Sequence, residues 1–228
     1  FSQKYFSQKF KNENLNYTYS NFDIKNPSQI ESILQNDRIS GFNVTIPYKE
    51  DIIKFLDEID EVATDIGAVN TIKKINNKNI GYNTDCIGFE NSLLSLIDKK
   101  KPENALILGS GGASKAIKYV LNKLNIRYSS VSRYKGKSEF IYENLNTEII
   151  NSFKMIINCS PVGTFPKIKD CPKIPYNSLT KDHILFDLVY NPIETLFLKK
   201  GREKGCLTKN GLEMLQFQAE ESWKIWEN

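Results

Sequence analysis

Histidine is almost absent from the chain: one in 228 residues, at position 183. His183 opens the apolar run Ile184-Leu185-Phe186, which makes it a structural residue at a strand edge. A reaction needing a histidine base is therefore excluded, and any proton must move through another group. Cysteine is scarce as well. Cys86, Cys159, Cys171 and Cys206 form no C-x-x-C pair and no His/Cys cluster has zinc spacing, so no metal site is expected. Cys86 and Cys159 lie beside apolar residues and are expected to be buried small hydrophobes. Unpaired thiols fit a reducing, cytoplasmic setting. No apolar run is long enough to cross a bilayer, so no membrane partner is expected. Neither charge dominates: 31 Lys and Arg face 27 Asp and Glu, a net +4. The basic residues are scattered among acidic ones. The one tight cationic run, Lys99-Lys100-Lys101 before Pro102, is expected to be a solvated linker face, which leaves no nucleic-acid patch.

What is there is enough apolar sequence, 40% of the chain, for one large core or two modest ones. Residues 2–12 read as a helix with Ser2 as its cap and Tyr5, Phe6 and Phe10 on one face. Leu15, Tyr17 and Tyr19 alternate with polar residues as a strand does. Ser28 is expected to cap a helix carrying Ile30, Ile33 and Leu34. The run Gly41 to Ile46 reads as a strand stopped by Pro47, which would sit in the first turn of the next helix. A helical stretch from Glu58 to Ile66, a strand from Val69 to Ile75, a turn at 76–79 and a strand from Ile80 to Asn83 follow. From Thr84 the pattern is helical through Phe89, Leu93, Leu94 and Ile97.

From Glu103 the rhythm alternates strand and helix, with strands expected at 104–109, 127–132, 154–159 and 183–189. That alternation implies a parallel sheet covered on both faces. Its first unit is the most telling. The apolar run 105–108 leads into Gly109-Ser110-Gly111-Gly112-Ala113, and a helical pattern follows through Ile117, Val120, Leu121 and Leu124. Strand, glycine turn and helix in that order form the phosphate-binding element of a Rossmann-type fold, where helix N–H groups face a pyrophosphate. Past the next strand stands Ser132-Arg133-Tyr134-Lys135-Gly136-Lys137, where an NAD site carries an acid. The cations Arg133 and Lys137 suit a 2′-phosphate, so NADP(H) is the expected cofactor. The fold class is α/β. A substrate domain over 1–87 is expected to precede a doubly wound nucleotide domain over 88–210. The helix 211–228 would fold back onto the first domain, and the cleft between the two would be the active site.

In the first half, Lys49 follows the 41–46 strand, where open α/β sheets place their ligands. Asn43 and Thr45 lie two apart on one face of that strand, offering polar groups beside it. Asn83-Thr84-Asp85 joins another strand to a helix. Asp85 either caps that helix or holds the Lys49 ammonium.

These segments resemble the shikimate dehydrogenase family. The blocks are Gly41 to Glu50, Gly67 to Thr71, Gly81 to Asp85, the 109–116 turn, Asn158 to Gly163, Asp187 to Pro192 and Gly211 to Gln218, in that order along nearly the whole chain. Gln3, Tyr48 and Cys86 stand where the family commonly has proline, histidine and glycine. The resemblance implies NADPH-dependent, reversible reduction of 3-dehydroshikimate to shikimate in aromatic amino acid (chorismate) biosynthesis, by a monomer or homodimer. It implies that Lys49 and Asp85 form the catalytic pair, with Ser2, Thr45, Asn70, Tyr190 and Gln218 lining the substrate site. Gly109, Ser110, Gly111, Gly112, Ala113, Ser132, Arg133, Lys137, Ser160 and Gly211 would hold the cofactor. Ser2 resembles the second serine of a paired-serine motif, so the family's first serine and first strand are expected to precede residue 1. A quinate/shikimate dehydrogenase of the same fold and a non-catalytic nucleotide-binding regulatory domain stand as alternatives. Retention of both Lys49 and Asp85 speaks against the second.

Overall fold

The computed structural model describes residues 1–24, 29–97 and 101–227. Ser28, Lys99 and Lys100, each given a role above, lie outside them. Two sheets carry the chain. The first is four-stranded, ordered β1 (Gly41–Asn43), β3 (Thr71–Ile75), β4 (Lys78–Tyr82), β2 (Glu58–Ile59). Strands β3 and β4 form an antiparallel hairpin in which Ile75 faces Lys78. The turn is therefore Asn76-Asn77 alone, shorter than the 76–79 expected. Both asparagines hold positive φ, 51° and 61°, which short amide side chains tolerate and tight hairpins require.

Several expectations about this half are corrected. The strand from Gly41 ends at Asn43, and Pro47 and Lys49 stand in a turn over 46–50 rather than in a helix. The Lys49 carbonyl accepts the Val69 N–H (2.8 Å), a bond that holds it to the 67–70 segment in place of a helical ladder. A 3₁₀ turn, Asp51–Phe55, follows. The 58–66 stretch divides into β2 and the helix α3 (Glu61–Ile66), because Asp60 caps α3 by accepting the Val62 N–H while Ile59 pairs with Gly81. Residues 15–19 form no strand. Their alternation serves aromatic packing: Tyr19 stacks on Phe6 at 4.9 Å and Tyr17 meets Trp223 edge-on at 5.8 Å. The helices α1 (Ser2–Asn12) and α2 (Gln29–Leu34) complete this part, with Phe1 rather than Ser2 at the N-cap of α1.

The second sheet is six-stranded and parallel throughout. Its order is β10 (Leu207–Lys209), β9 (Ile184–Asp187), β8 (Met155–Asn158), β5 (Asn104–Leu108), β6 (Arg127–Ser132), β7 (Phe140–Ile141). The edge strands β7 and β10 carry no period that a sequence pattern could reveal, being only two and three residues long. Ala105 and Ile107 face one core with Phe89, Leu93, Ile117 and Leu121; Leu106 and Leu108 face another with Ile150, Phe197 and Leu198. Period-two strands buried on both faces are what helices on both sides produce. These helices are α4 (Asp85–Ile97), α5 (Gly112–Lys123), α6 (Thr147–Ser152), α7 (Leu196–Glu203) and α8 (Leu212–Glu227).

Helix α8 ties the sheets together. It packs closely on α4 at Gly88, where a Cβ would lie 2.5 Å from the Met214 carbonyl oxygen. Its far end folds back onto the first sheet: Trp226 Nε1 donates to the Ile72 carbonyl at 2.9 Å and Ser222 bonds Thr71 at 2.8 Å. Among the described residues no helix is long and apolar enough to cross a membrane. His183 is buried and bonded to Thr180 and the Ile150 carbonyl, a structural residue. Cys86 is buried and burial pushes its thiol up to about 12, whereas Cys159, expected to be buried, is half-buried beside Gly109.

Asp187 at the end of β9 is fully buried. Its Oδ1 accepts from Asn158 Nδ2 (2.9 Å) and Val189 N (3.0 Å), and its Oδ2 from Thr195 Oγ1 (2.6 Å). Burial lifts the carboxyl from 3.8 to about 6, more than these three donors lower it. A folded-state pKa above the unfolded one means that stability present below the unfolded value is lost as pH rises through about 6. Between about pH 4 and about pH 7 the wild type should lose on the order of 2–3 kcal/mol of unfolding free energy relative to Asp187→Asn. Denaturant titrations at several pH values check this, and parallel pH slopes in the two proteins would contradict it.

Candidate active site

Lys49 and Asp85, 36 residues apart, meet. Lys49 Nζ donates to Asp85 Oδ2 at 2.6 Å, and the two side chains are only 14% and 9% exposed. Asp85 opens α4, so its charge also sits at the favourable end of a helix dipole. Its carboxylate faces Lys49 and Asn70, while Asn83 Oδ1 accepts the Cys86 N–H of the first turn at 3.2 Å. Of the two roles left open for Asp85, the structure shows the ion pair.

Asn70 organises what surrounds the pair. It is 2% exposed, and its Oδ1 accepts the Thr84 N–H at 2.7 Å. Its Nδ2 faces Asp85 Oδ1 (2.9 Å), Thr84 Oγ1 (3.0 Å) and Gln218 Oε1 (3.3 Å). Gln218 reaches this cluster from α8, so three expected site residues converge with Lys49. Asn43 stands behind this cluster: its Nδ2 donates to Ser222 Oγ (3.1 Å), Thr71 Oγ1 (3.3 Å) and the Asn70 carbonyl (3.4 Å), and its Oδ1 accepts from Tyr19. Thr45 is exposed, four residues before Lys49. Ser2 opens α1, beside Tyr19, whose hydroxyl donates to Asn43 Oδ1 at 3.0 Å. Tyr190 is exposed with its ring edge against Phe1 at 5.9 Å, which puts it next to the start of α1.

The glycine turn lies against the Lys49 turn. A Cβ on Gly112 would stand 3.5 Å from Lys49 Cβ and 3.7 Å from Glu50 Oε1. Gly109 has φ +120°, a conformation that favours glycine, and a Cβ there would lie 3.3 Å from the Cys159 carbonyl carbon. Gly111 caps α5 with φ −86° and open space around it, while Ser110 is exposed and Ala113 half-buried. Ser160 stands beside Gly109 and donates through Oγ to Asn158 Oδ1 at 2.6 Å. Ser132 is buried, its Oγ bonded to the Tyr134 carbonyl and N–H, so it shapes the basic loop. Arg133 and Lys137 are exposed, each 5.7 Å from the Tyr134 ring, and form no ion pair among the described residues. Gly211 packs against the Leu188 backbone and donates to the Val189 carbonyl at 3.2 Å.

Sequence reasoning gave no role to Thr84, Asn158, Asp187, Glu50 or Lys115. Asp187 and Asn158 lie at the ends of adjacent strands, a pairing visible only once the sheet order is known. Lys115 did carry a signal, a cation in the first turn of a helix, where the dipole disfavours it.

Residues 1–72 match the family model described as the shikimate dehydrogenase substrate binding domain. The shikimate dehydrogenase (NADP(+)) of Methanococcus maripaludis strain C6 is 43% identical, over 93% of this chain and 81% of that protein. The solved shikimate dehydrogenase of Aquifex aeolicus superposes with a TM-score of 0.85 at 37% identity, covering 99% of this chain and 86% of that one. The Thermus thermophilus shikimate 5-dehydrogenase, solved with NADP(H) and shikimate, gives 0.85 at 25% identity over 99% and 87%. With that identity across nearly its whole length and the same fold, this chain belongs to the shikimate dehydrogenase family.

Proposed function

We propose that this protein is an NADP-dependent shikimate dehydrogenase that reduces the ring ketone of 3-dehydroshikimate, with Lys49 and Asp85 as its proton-transfer pair. The observation that carries the reading is the 2.6 Å Lys49–Asp85 contact beside a glycine turn. Residues 1–87 with helix 211–228 form the substrate part in this reading, and 88–210 the nucleotide part.

The chain's residues fit the dinucleotide. At Gly111 neither the backbone angle nor any neighbouring atom demands glycine, so the open space there suits the close approach of phosphate. Gly109, Ser110, Gly112, Ala113, Ser160 and Gly211 would border it. Arg133 and Lys137, free of acidic partners among the described residues, would take the 2′-phosphate. When bound, the dinucleotide supplies the hydride chemistry.

The protein supplies the proton. A lysine ammonium is a donor at neutral pH and stabilises an oxygen that gains negative charge. Lys49 Nζ gives its proton to the former ketone oxygen, while Asp85 Oδ2 orients the ammonium and Asn70 holds Asp85 Oδ1. In the reverse direction Lys49 Nζ takes the proton back from the alcohol oxygen. Asn70, Thr45 and Gln218 can each donate and accept, which suits ring hydroxyls. Ser2 and Tyr190 would serve the carboxylate as neutral donors.

Lys49→Ala should slow turnover by about a hundredfold to ten-thousandfold, the range for losing a general acid. NADPH affinity should stay near wild type, and near-normal turnover would remove Lys49 from the mechanism. Arg133→Ala should weaken NADPH about 10- to 100-fold, one charged hydrogen bond, and leave NADH almost unchanged. Fluorescence titration with both cofactors checks this; equal losses would refute the 2′-phosphate assignment. Gly111→Ala should melt like wild type yet bind NADPH about tenfold more weakly, because the added methyl meets ligand and not protein. Unchanged affinity in that variant would argue against a phosphate at this turn.

A further inference from the structure

Lys115 lies in the first turn of α5, where no acidic side chain offsets its unfavourable position on the helix dipole. Its compensation comes from outside the helix. Nζ donates to Glu50 Oε2 at 2.6 Å and to the Gly67 carbonyl at 3.2 Å. Gly67 is the C-cap of α3, so the same ammonium sits at the favourable end of that helix. Both partners adjoin the site. Glu50 follows Lys49, and Gly67 leads to Val69, which binds the Lys49 carbonyl, and on to Asn70.

We infer that Lys115 is a positioning residue that fixes the Lys49 turn and the 67–70 segment against the glycine turn through Glu50 and the Gly67 carbonyl. The inference rests on the proposed function. The Lys115 and Glu50 side chains are 37% and 47% exposed, so the pair adds little to stability. Its effect is on placement, since a shift of about 1 Å at a reacting group costs up to about a hundredfold in rate. A competing role, Lys115 as a direct phosphate ligand, makes a different set of predictions because Glu50 would then play no part.

The test is a double-mutant cycle of Lys115→Met and Glu50→Gln, with Lys115→Arg as the charge-conserving variant. Turnover of 3-dehydroshikimate and NADPH affinity are read separately. Each single change should lower kcat about tenfold, the double should be no slower, and Lys115→Arg should stay near wild type. NADPH Kd should move by less than about twofold in all of them. Additive losses, or wild-type kcat in both singles, would overturn the inference. So would weaker NADPH binding in Lys115→Met with none in Glu50→Gln. Glu50→Gln alone carries the test if Lys115→Met does not fold. An inactive wild type overturns the proposed function and this inference together; an active wild type with silent variants overturns only the inference.

Discussion

Two opposite charges held out of water 2.6 Å apart set the terms for the rest of this molecule. Burying an ammonium and a carboxylate costs several kcal/mol per ion unless their remaining hydrogen-bonding capacity is met. Here Asp85 has a second donor in Asn70 and the positive end of α4 behind it. Asn70 is itself fixed by the Thr84 N–H and by Gln218. Four separate parts of the chain therefore have to be in register before the pair can exist: the turn after β1, the approach to β3, the start of α4 and the middle of α8.

The fold supplies that register through close backbone approaches. Gly88 lets α8 lie on α4, and α8 then reaches back to β3 through Ser222 and Trp226. On the other side, the parallel sheet ends at Gly109, Asn158 and Asp187 on neighbouring strands, the end at which open α/β sheets take ligands. The Asn158–Asp187 bond ties two of those strand ends, and Asn158 in turn fixes Ser160 beside the glycine turn. A Cβ on Gly112 would lie 3.5 Å from Lys49 Cβ, so the glycine turn borders the Lys49 turn.

Much of this was legible in the sequence. Alternating apolar strands with glycine and helix signals gave the parallel sheet, and the central strands fall where the pattern placed them. Lys49 and Asp85 stood out as polar residues at strand ends, but their meeting is a tertiary fact that the residues alone left open. Local signals failed where tertiary partners overrode them. The Lys49 carbonyl goes to Val69, so the expected helix after Pro47 is a turn. Ile59 pairs with Gly81, so a helical period over 58–66 divides at Asp60. The tyrosines at 17 and 19 alternate for aromatic neighbours, not for a strand partner. Asn43 shares a face with Thr45 in principle, yet Ser222 of α8, distant in sequence, captures its amide.

The measurement that bears most directly on the buried pair is NADPH consumption with 3-dehydroshikimate by the wild type and by Asp85→Asn, an isosteric change that removes one charge. The expected result is steady turnover in the wild type and a loss on the order of a hundredfold in the variant. Equal rates in the two proteins, or no NADPH consumption by the wild type, would contradict a proton-transfer role for Lys49 and Asp85.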